Sequence, residues 1–400
     1  NGQERNDGKN HISLALGDPT ASGHLPMCPV VIDAVMNAVK TPGNAAGYIN
    51  ALGKPEARAA IAKHHGAKSP DDVIIANGCS GALELALTAL LDPGTVLLVP
   101  RPGFPLYQVI AESHGASVAH YNLLPTQNWQ CDLKHIVELV DQYPPGTVRG
   151  IVVNNPSNPT GSVYSKEHLE DIVNLARSLQ VPVIADEVYG DLTLGENEFY
   201  PIAQVAKGCV PIITASGLAK QYLLPGWRVG WIVFHDSNTG ALREVQAGAK
   251  RLAQVILGAS HLAQSVVPAL LDPSEADRDA IAEWKTQLKS TLALQAQTIC
   301  NELSECHGLS VHFPKGAMYA MVELEISSFD NEIEDDLDFT KLLLKEENVF
   351  VLPGRAFGVD PSQRPVFRVV FCASVDLLRE AAQRICEFCA QHQKMSENAM

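Results

Sequence analysis

Lys220 lies in SGLAKQYLLPGW (216–227), a run of small and apolar residues with no carboxylate to neutralise it. Burial and nearby cations depress a lysine's pKa and free its amine for Schiff-base chemistry; a surface lysine is the plainer alternative. Arg228 follows in PGWRVGW, between Trp227 and Val229. Its guanidinium fork suits a bidentate phosphate contact, and its apolar flanks predict that it is not free on the surface, with a buried salt bridge as the alternative. Asp186 closes the apolar run VPVIADE (181–187). A carboxylate there is costly unless a cation pairs with it. A protonated pyridine nitrogen would be such a cation, its pKa raised by the negative charge; capping of the next element is the other reading. Tyr189, in DEVY, can donate a hydrogen bond to a phenolate oxygen.

Further candidates extend this set. Gly78-Cys79-Ser80-Gly81 opens a helical pattern after the strand-like DVIIAN. Small residues at a helix N-terminus leave N–H groups directed at solvent, a phosphate cup or a plain Ser-capped helix. NPSNPTG (155–161) follows another apolar run and contains Asn158. Arg368 interrupts the apolar PVFRVVF and needs a partner, either a substrate carboxylate or an internal acid. Phe104 in RPGFPLY could stack on a planar ring or pack in the core. Tyr48 sits in the glycine-containing AAGYINALG, in a turn or against a ligand.

The elements that must position these residues alternate. Short β-branched runs at 72–77, 95–100, 117–123, 148–155, 181–187, 210–216 and 229–234 are separated by stretches with helical apolar spacing. Such βα units predict a mostly parallel sheet covered on both faces, and ligands gather at the carboxyl ends of its strands. NGCSGA, NPSNPTG, DEVY and SGLAK all lie at such ends. A long helical stretch follows, at about 237 to 305, and then strands and helices in an α+β pattern. The spacing predicts a large domain over 44–300 and a discontinuous small domain of 1–43 plus 301–400, with residues 1–10 a flexible arm.

Composition narrows the field. The 400 residues carry a net charge of −15, which disfavours nucleic acid and anionic membranes as partners. No apolar run is long enough for a membrane span. Nine cysteines lack a framework spacing. Cys386 and Cys389 form a CxxC on an amphipathic helix and are read as two helix-face thiols, with no metal ligand pair beside them. Reduced cysteines suggest an intracellular compartment, cytoplasmic with mitochondrial as the alternative; the chain begins at Asn1 rather than Met.

Taken in order, LALGDPT, NGCSGA, VPRPGFPLY, YNLLP, NNPSNPTGSVYSKEHL, VPVIADEVYGD, SGLAKQYLLPGWRVGWIVFHD, KGAMYAMV and FRVVF resemble the fold-type I, class I aminotransferases that use pyridoxal 5′-phosphate (PLP), and within them the tyrosine aminotransferase family. The resemblance runs from about residue 11 to 392. It implies a three-layer PLP-transferase fold: a mostly parallel seven-stranded sheet in a large domain, with a smaller α+β domain. It implies that Lys220 holds the cofactor covalently, that Asp186 binds the pyridinium nitrogen, and that Asn158 and Tyr189 bind the ring's phenolic oxygen. Gly78, Cys79, Ser80, Ser216 and Arg228 would hold the phosphate. Phe104 would stack on the ring, with Tyr107 as a nearby alternative. Tyr48 would reach the phosphate of a neighbouring subunit, implying a homodimer with shared sites. Arg368, with Asn158 and the Gly17 backbone, would bind the substrate carboxylate. Many relatives carry serines three before and one before the lysine, where this chain has Gly217 and Ala219. The implied reaction moves the amino group of an aromatic amino acid, tyrosine foremost, to 2-oxoglutarate or pyruvate in a ping-pong cycle. A broad alanine or methionine aminotransferase and a PLP-dependent C–S lyase are the alternatives on this fold. A nicotinamide dehydrogenase is disfavoured because no GxGxxG follows the early strands.

Overall fold

Residues 8–41, 45–236 and 238–394 are described by a computed structural model. The continuously apolar runs form the middle of an eight-stranded sheet. Across it the order is Val73–Asn77, Val229–His235, Ile212–Gly217, Val183–Asp186, Val148–Asn154, Val96–Arg101, Ser117–Leu124 and Gln130–Cys131. Val229–His235 runs antiparallel to both neighbours, and the two-residue edge strand Gln130–Cys131 is antiparallel to Ser117–Leu124. The remaining pairings are parallel. The seven predicted strands are thus present, with a short eighth at the edge.

Two buried cores explain why these runs are apolar on every residue. Val152, Ile184 and Ile213 pack on one face with Ala82, Leu83 and Leu87 of the helix Gly78–Leu90. Their neighbours Ile151, Val153, Val183, Ala185 and Ile212 pack on the other with Leu169, Ile172 and Ala176 of the helix Lys166–Leu179. Alternate side chains of one strand face opposite sides, so a strand between two helical layers has no polar face.

The predicted long helical stretch is interrupted. Arg243–Ile256 ends where Leu257 and Gly258 both adopt positive φ, 62° and 74°. The 30-residue helix Glu275–Ser304 begins only after Pro273, with the Ser274 side chain accepting from the Asp277 N–H. A second sheet is antiparallel, in the order Leu309–His312, Tyr319–Leu324, Val366–Val370, Leu352–Pro353. The N-terminal Ile12–Ser13 pairs in parallel with Val349–Phe350 and so ties the start of the chain to its last third. The predicted domain boundary at 43–44 and residues 1–7 of the predicted arm lie outside the described residues.

One cysteine expectation is overturned. Cys386 is not a helix-face thiol: it is joined to Cys306 in a disulfide between the C-terminal helix Val375–Gln391 and the segment after Glu275–Ser304. The two positions are 80 residues apart in sequence, so spacing alone gave no hint of the pair. Cys389 remains a free thiol, and burial pushes its pKa up to about 12. No helix of the described residues is long and apolar enough to cross a membrane.

Candidate active site

Strand ends of the large sheet and the middle of the small sheet meet at a cavity of about 400 Å³, a size suited to a small organic ligand. Lys220, Asp186, Cys79, Ser80, Phe104, Asn158, Tyr189, Arg228, Arg368 and Gly17 all line it. The sequence candidates therefore converge, although they span residues 17 to 368.

Asp186 ends the strand Val183–Asp186 and is 3% exposed. Its Oδ2 accepts a 2.6 Å hydrogen bond from the Tyr107 hydroxyl. Its Oδ1 accepts from the Val188 N–H at 3.3 Å and from the Cys79 thiol at 3.7 Å. Burial raises the carboxyl pKa, and these three donors pull it back toward the charged form. The side chain of Asn154 fixes the neighbouring loop: its Nδ2 donates to the Asp186 carbonyl and its Oδ1 accepts from the Asn158 N–H at 2.7 Å.

Lys220 sits in the short helix Leu218–Gln221, one step past the strand Ile212–Gly217. Its Nζ donates to the Gly17 carbonyl. Desolvation lowers its pKa, reinforced by the positive charges of Arg368 and Arg228 and opposed by Cys372 and Asp18. Tight packing explains Gly17: an added Cβ would lie 2.2 Å from the Tyr319 hydroxyl.

The cup at Gly78–Ser80 forms where the strand Val73–Asn77 turns into the helix Gly78–Leu90. Gly78 has φ +74°, and a Cβ there would meet the Arg228 guanidinium at 2.5 Å. A Cβ on Gly230 would fall 2.3 Å from the Cys79 nitrogen, so this glycine lets the antiparallel strand pass under the cup. The Arg228 Nη atoms donate to the Pro225 and Asn77 carbonyls, at 3.1 and 3.3 Å.

Arg368 lies in the centre of Val366–Val370 and is 5% exposed. Its register partners are Met321 and Leu352, and Tyr319 lies diagonally on the same face. The guanidinium carbon is 4.4 Å from the Tyr319 ring centre and 4.7 Å from that of Phe357. One Nη donates to Asn158 Oδ1 at 2.8 Å and the other to the Ala15 carbonyl. Its Nε is buried without a hydrogen-bond partner among the described residues. Among those residues no acid forms a salt bridge with it, so the internal acid foreseen as an alternative is not found there.

The sequence model of the family "Aminotransferase class I and II" matches residues 9–385. The chain belongs to this family. It is 41% identical to the tyrosine aminotransferase of Dictyostelium discoideum, over 98% of this chain and 92% of that protein. It is 39% identical to the tyrosine aminotransferase of Homo sapiens, over 98% of this chain and 84% of that one. A crystal structure of tyrosine aminotransferase from Leishmania infantum superposes with a TM-score of 0.88 at 31% identity, covering 96% of this chain and 93% of the other.

Three expectations for this aminotransferase change with the geometry. Ser216 does not reach the cavity. It is fully buried, its hydroxyl donates to the Glu187 carbonyl at 3.3 Å, and it accepts from Gln221 at 3.1 Å. The position three before the lysine cannot supply a hydroxyl instead, because a Cβ at Gly217 would come within 2.7 Å of the Val229 carbonyl oxygen. Tyr107 is not a stacking ring: it is 1% exposed, does not line the cavity and sets its hydroxyl on Asp186. Arg228 is exposed rather than held inside, in no salt bridge among the described residues, because its positive φ of 53° turns it out toward the cup. Phe104 remains half-buried on the cavity wall, edge-on to Tyr107 at 5.9 Å. Tyr48 stands apart from the cavity and is 97% exposed.

The sequence reading missed Tyr319 and Phe357. Tyr319 meets the Tyr189 hydroxyl at 2.6 Å, and with Phe357 it flanks Arg368. Tyr319 lies within KGAMYAMV, quoted only for its resemblance; nothing in its spacing marks it, because its role comes from strand pairing.

Proposed function

We propose that this aminotransferase takes PLP as its cofactor and moves the amino group of an aromatic L-amino acid, tyrosine foremost, to 2-oxoglutarate or pyruvate. The observation that carries the reading is that a buried, donor-held Asp186 carboxyl, the Lys220 amine and Arg368 all line one cavity. The residues fit the cofactor. Asp186 is a buried carboxyl held by hydrogen-bond donors and by no cation in a salt bridge among the described residues, which suits a protonated pyridine nitrogen. Gly78, Cys79, Ser80 and Arg228 form a cup with backbone N–H groups and a guanidinium fork, which suits a phosphate ester. Phe104 offers a ring on the cavity wall, and Tyr189 and Asn158 offer donors for a phenolic oxygen.

When bound, the cofactor supplies an electron sink for charge developing on the substrate's α-carbon. The chain's own residues do the rest. Arg368, with its free Nε, and Asn158 hold the substrate carboxylate. Lys220, with its pKa lowered by desolvation, takes and returns the α-proton, a general-base role worth about 10²–10⁴-fold. Tyr319 orients the Tyr189 hydroxyl. Leu16, Leu352, Ala356 and Phe357 give the cavity an apolar rim, and its cations are Lys220, Arg228 and Arg368 among the described residues. All three are engaged by this scheme, so the rim favours an uncharged, aromatic side chain. The relatives named tyrosine aminotransferase support the same choice.

The active unit is a homodimer in this reading. Tyr48, which is 97% exposed, reaches the partner's phosphate, and exposed Val255, Ile256 and Leu257 join the interface. The large domain spans 44–300, and 1–43 with 301–400 forms the small one. A panel of tyrosine, phenylalanine, alanine and methionine, each with 2-oxoglutarate or pyruvate, tests the substrate assignment. Tyrosine should give the highest kcat/KM for formation of the new amino acid. A preference for alanine, or ammonia release without transfer, would discard it.

A further inference from the structure

Asp186 is engaged from three sides before any ligand is considered, and the contacts are unequal. Tyr107 gives the short one, 2.6 Å to Oδ2; the Val188 N–H and the Cys79 thiol share Oδ1 at 3.3 and 3.7 Å. Two carboxylate oxygens offer about four lone-pair sites, so three donors leave about one acceptor position. Tyr107 is itself buried, and Asp186 is its hydrogen-bond partner. Its ring also backs Phe104, edge to face, at 5.9 Å between centroids and 84° between planes. It arrives from the start of the helix Leu106–Ser113, directly after the turn that carries Phe104.

We propose that Tyr107 is a positioning residue of the active site: its hydroxyl holds the Asp186 carboxyl in one rotamer and favours its ionised form, while its ring supports Phe104, so that one side chain sets two walls of the cofactor site. The proposal rests on the cofactor assignment above for its consequence, but its first half concerns the apoprotein alone. Burial holds the phenol well above its ordinary pKa, so the group stays a donor throughout the working range. The titratable groups around the carboxylate are Tyr107, Cys79, Tyr189, Tyr319 and Glu187, and the cations Lys220, Arg228 and Arg368 line the same cavity. Tyr107 is the one that bonds it at short range.

Two measurements on Tyr107→Phe, which keeps the ring, test this. In apoprotein melted across pH 5 to 8, the parent should gain an advantage over the variant that grows with pH, because loss of the donor makes the buried carboxylate costlier to ionise. A gap independent of pH would reduce Tyr107 to packing and overturn the proposal. The second measurement is PLP affinity of the apoprotein, by fluorescence titration, in a double-mutant cycle with Asp186→Ala. Tyr107→Phe should weaken binding about 10-fold in the parent, the scale of one hydrogen bond to a charged group, and less than about 2-fold where Asp186 is already absent. Equal weakening in both backgrounds, or none in the parent, would overturn the role toward the cofactor. If Asp186→Ala alone left PLP affinity unchanged, the cofactor assignment would fall, while the apoprotein melts would still decide the role of Tyr107.

Discussion

Asp186 and Glu187 are consecutive buried carboxyl groups, 3% and 4% exposed, yet they serve two different regions. Alternation along the strand sends Asp186 to the cavity face and Glu187 to the packing face beside the helix Ile202–Ala206. On the cavity face, burial raises the carboxyl pKa and three donors pull it back toward the charged form. On the packing face, Glu187 receives one N–H, from Ile202 at 2.9 Å, and burial pushes its pKa up to about 8. Lys220 and Ser216 divide in the same way: the amine lines the cavity, while the hydroxyl joins Gln221 and the Glu187 carbonyl. Burial is common to both faces. What separates them is whether the buried polar groups are satisfied among themselves or left with capacity turned into open space.

The largest expected effect falls on the cavity face. Lys220→Ala should lower turnover by about 10³-fold or more, since no other amine lines the cavity among the described residues. Borohydride treatment of the PLP-loaded parent should leave a covalent adduct on the Lys220 peptide, found by mass mapping. Retained activity in the variant would erase the distinction drawn between the two faces. Arg368→Ala comes next. It removes the cation that holds Asn158 and the Ala15 carbonyl and whose Nε is unsatisfied. Loss of a charge-assisted pair should raise KM for the amino acid about 100-fold, with PLP affinity changed less than about 3-fold. Equal loss of both, measured by steady-state kinetics and PLP titration, would mean that the arginine supports the fold instead of the substrate.

Much of this division was legible in the sequence. Asp186, Lys220 and the Gly78–Ser80 cup lie at the ends of apolar runs, and a parallel sheet collects such ends on one edge. Arg368 was visible as a charge inside an apolar strand. Tyr319 and Phe357 were not, because their places follow from the register of Tyr319–Leu324 and Leu352–Pro353 against Val366–Val370, which no local pattern states. The Cys306–Cys386 link was hidden for the same reason. Arg228 was misjudged because its flanks are apolar, whereas its positive φ turns the side chain away from them. Ser216 was hidden for the same reason as that link: only the register, which pairs Asp186 with Ala215, puts Ser216, one step on, on the face opposite Asp186.

Glu187→Gln sharpens the comparison through pH. Burial pushes the folded carboxyl up to about 8, above its ordinary value of 4.5 in the unfolded chain, so between the two the folded state holds the extra proton. Stability from this group is therefore fully present below pH 4.5 and is lost as pH rises through about 8. Glutamine keeps an oxygen for the Ile202 N–H and has no proton to lose. Urea denaturation should find the variant near the parent at pH 4.5 and more stable at pH 8, by a few kcal/mol at about 1.4 kcal/mol per pKa unit. The parent and variant should share one kcat at neutral pH. An unchanged pH slope would place Glu187 in contact with water or with the cavity.

The smallest effect is the most discriminating. Ser216→Ala removes the hydroxyl that donates to the Glu187 carbonyl and accepts from Gln221. The Glu187 carbonyl keeps a second donor, since Gln221 Nε2 also reaches it at 3.3 Å. The cost should therefore be about 1 kcal/mol of stability, seen as a small fall in the urea midpoint. PLP affinity should stay within about 2-fold of the parent, because the hydroxyl does not line the cavity. A phosphate ligand lost from the cup would instead cost about 10-fold or more in PLP affinity, the scale of a hydrogen bond to a charged group. A loss of that size in Ser216→Ala would move Ser216 to the cavity face and break the parity argument at a residue where sequence resemblance and geometry disagree.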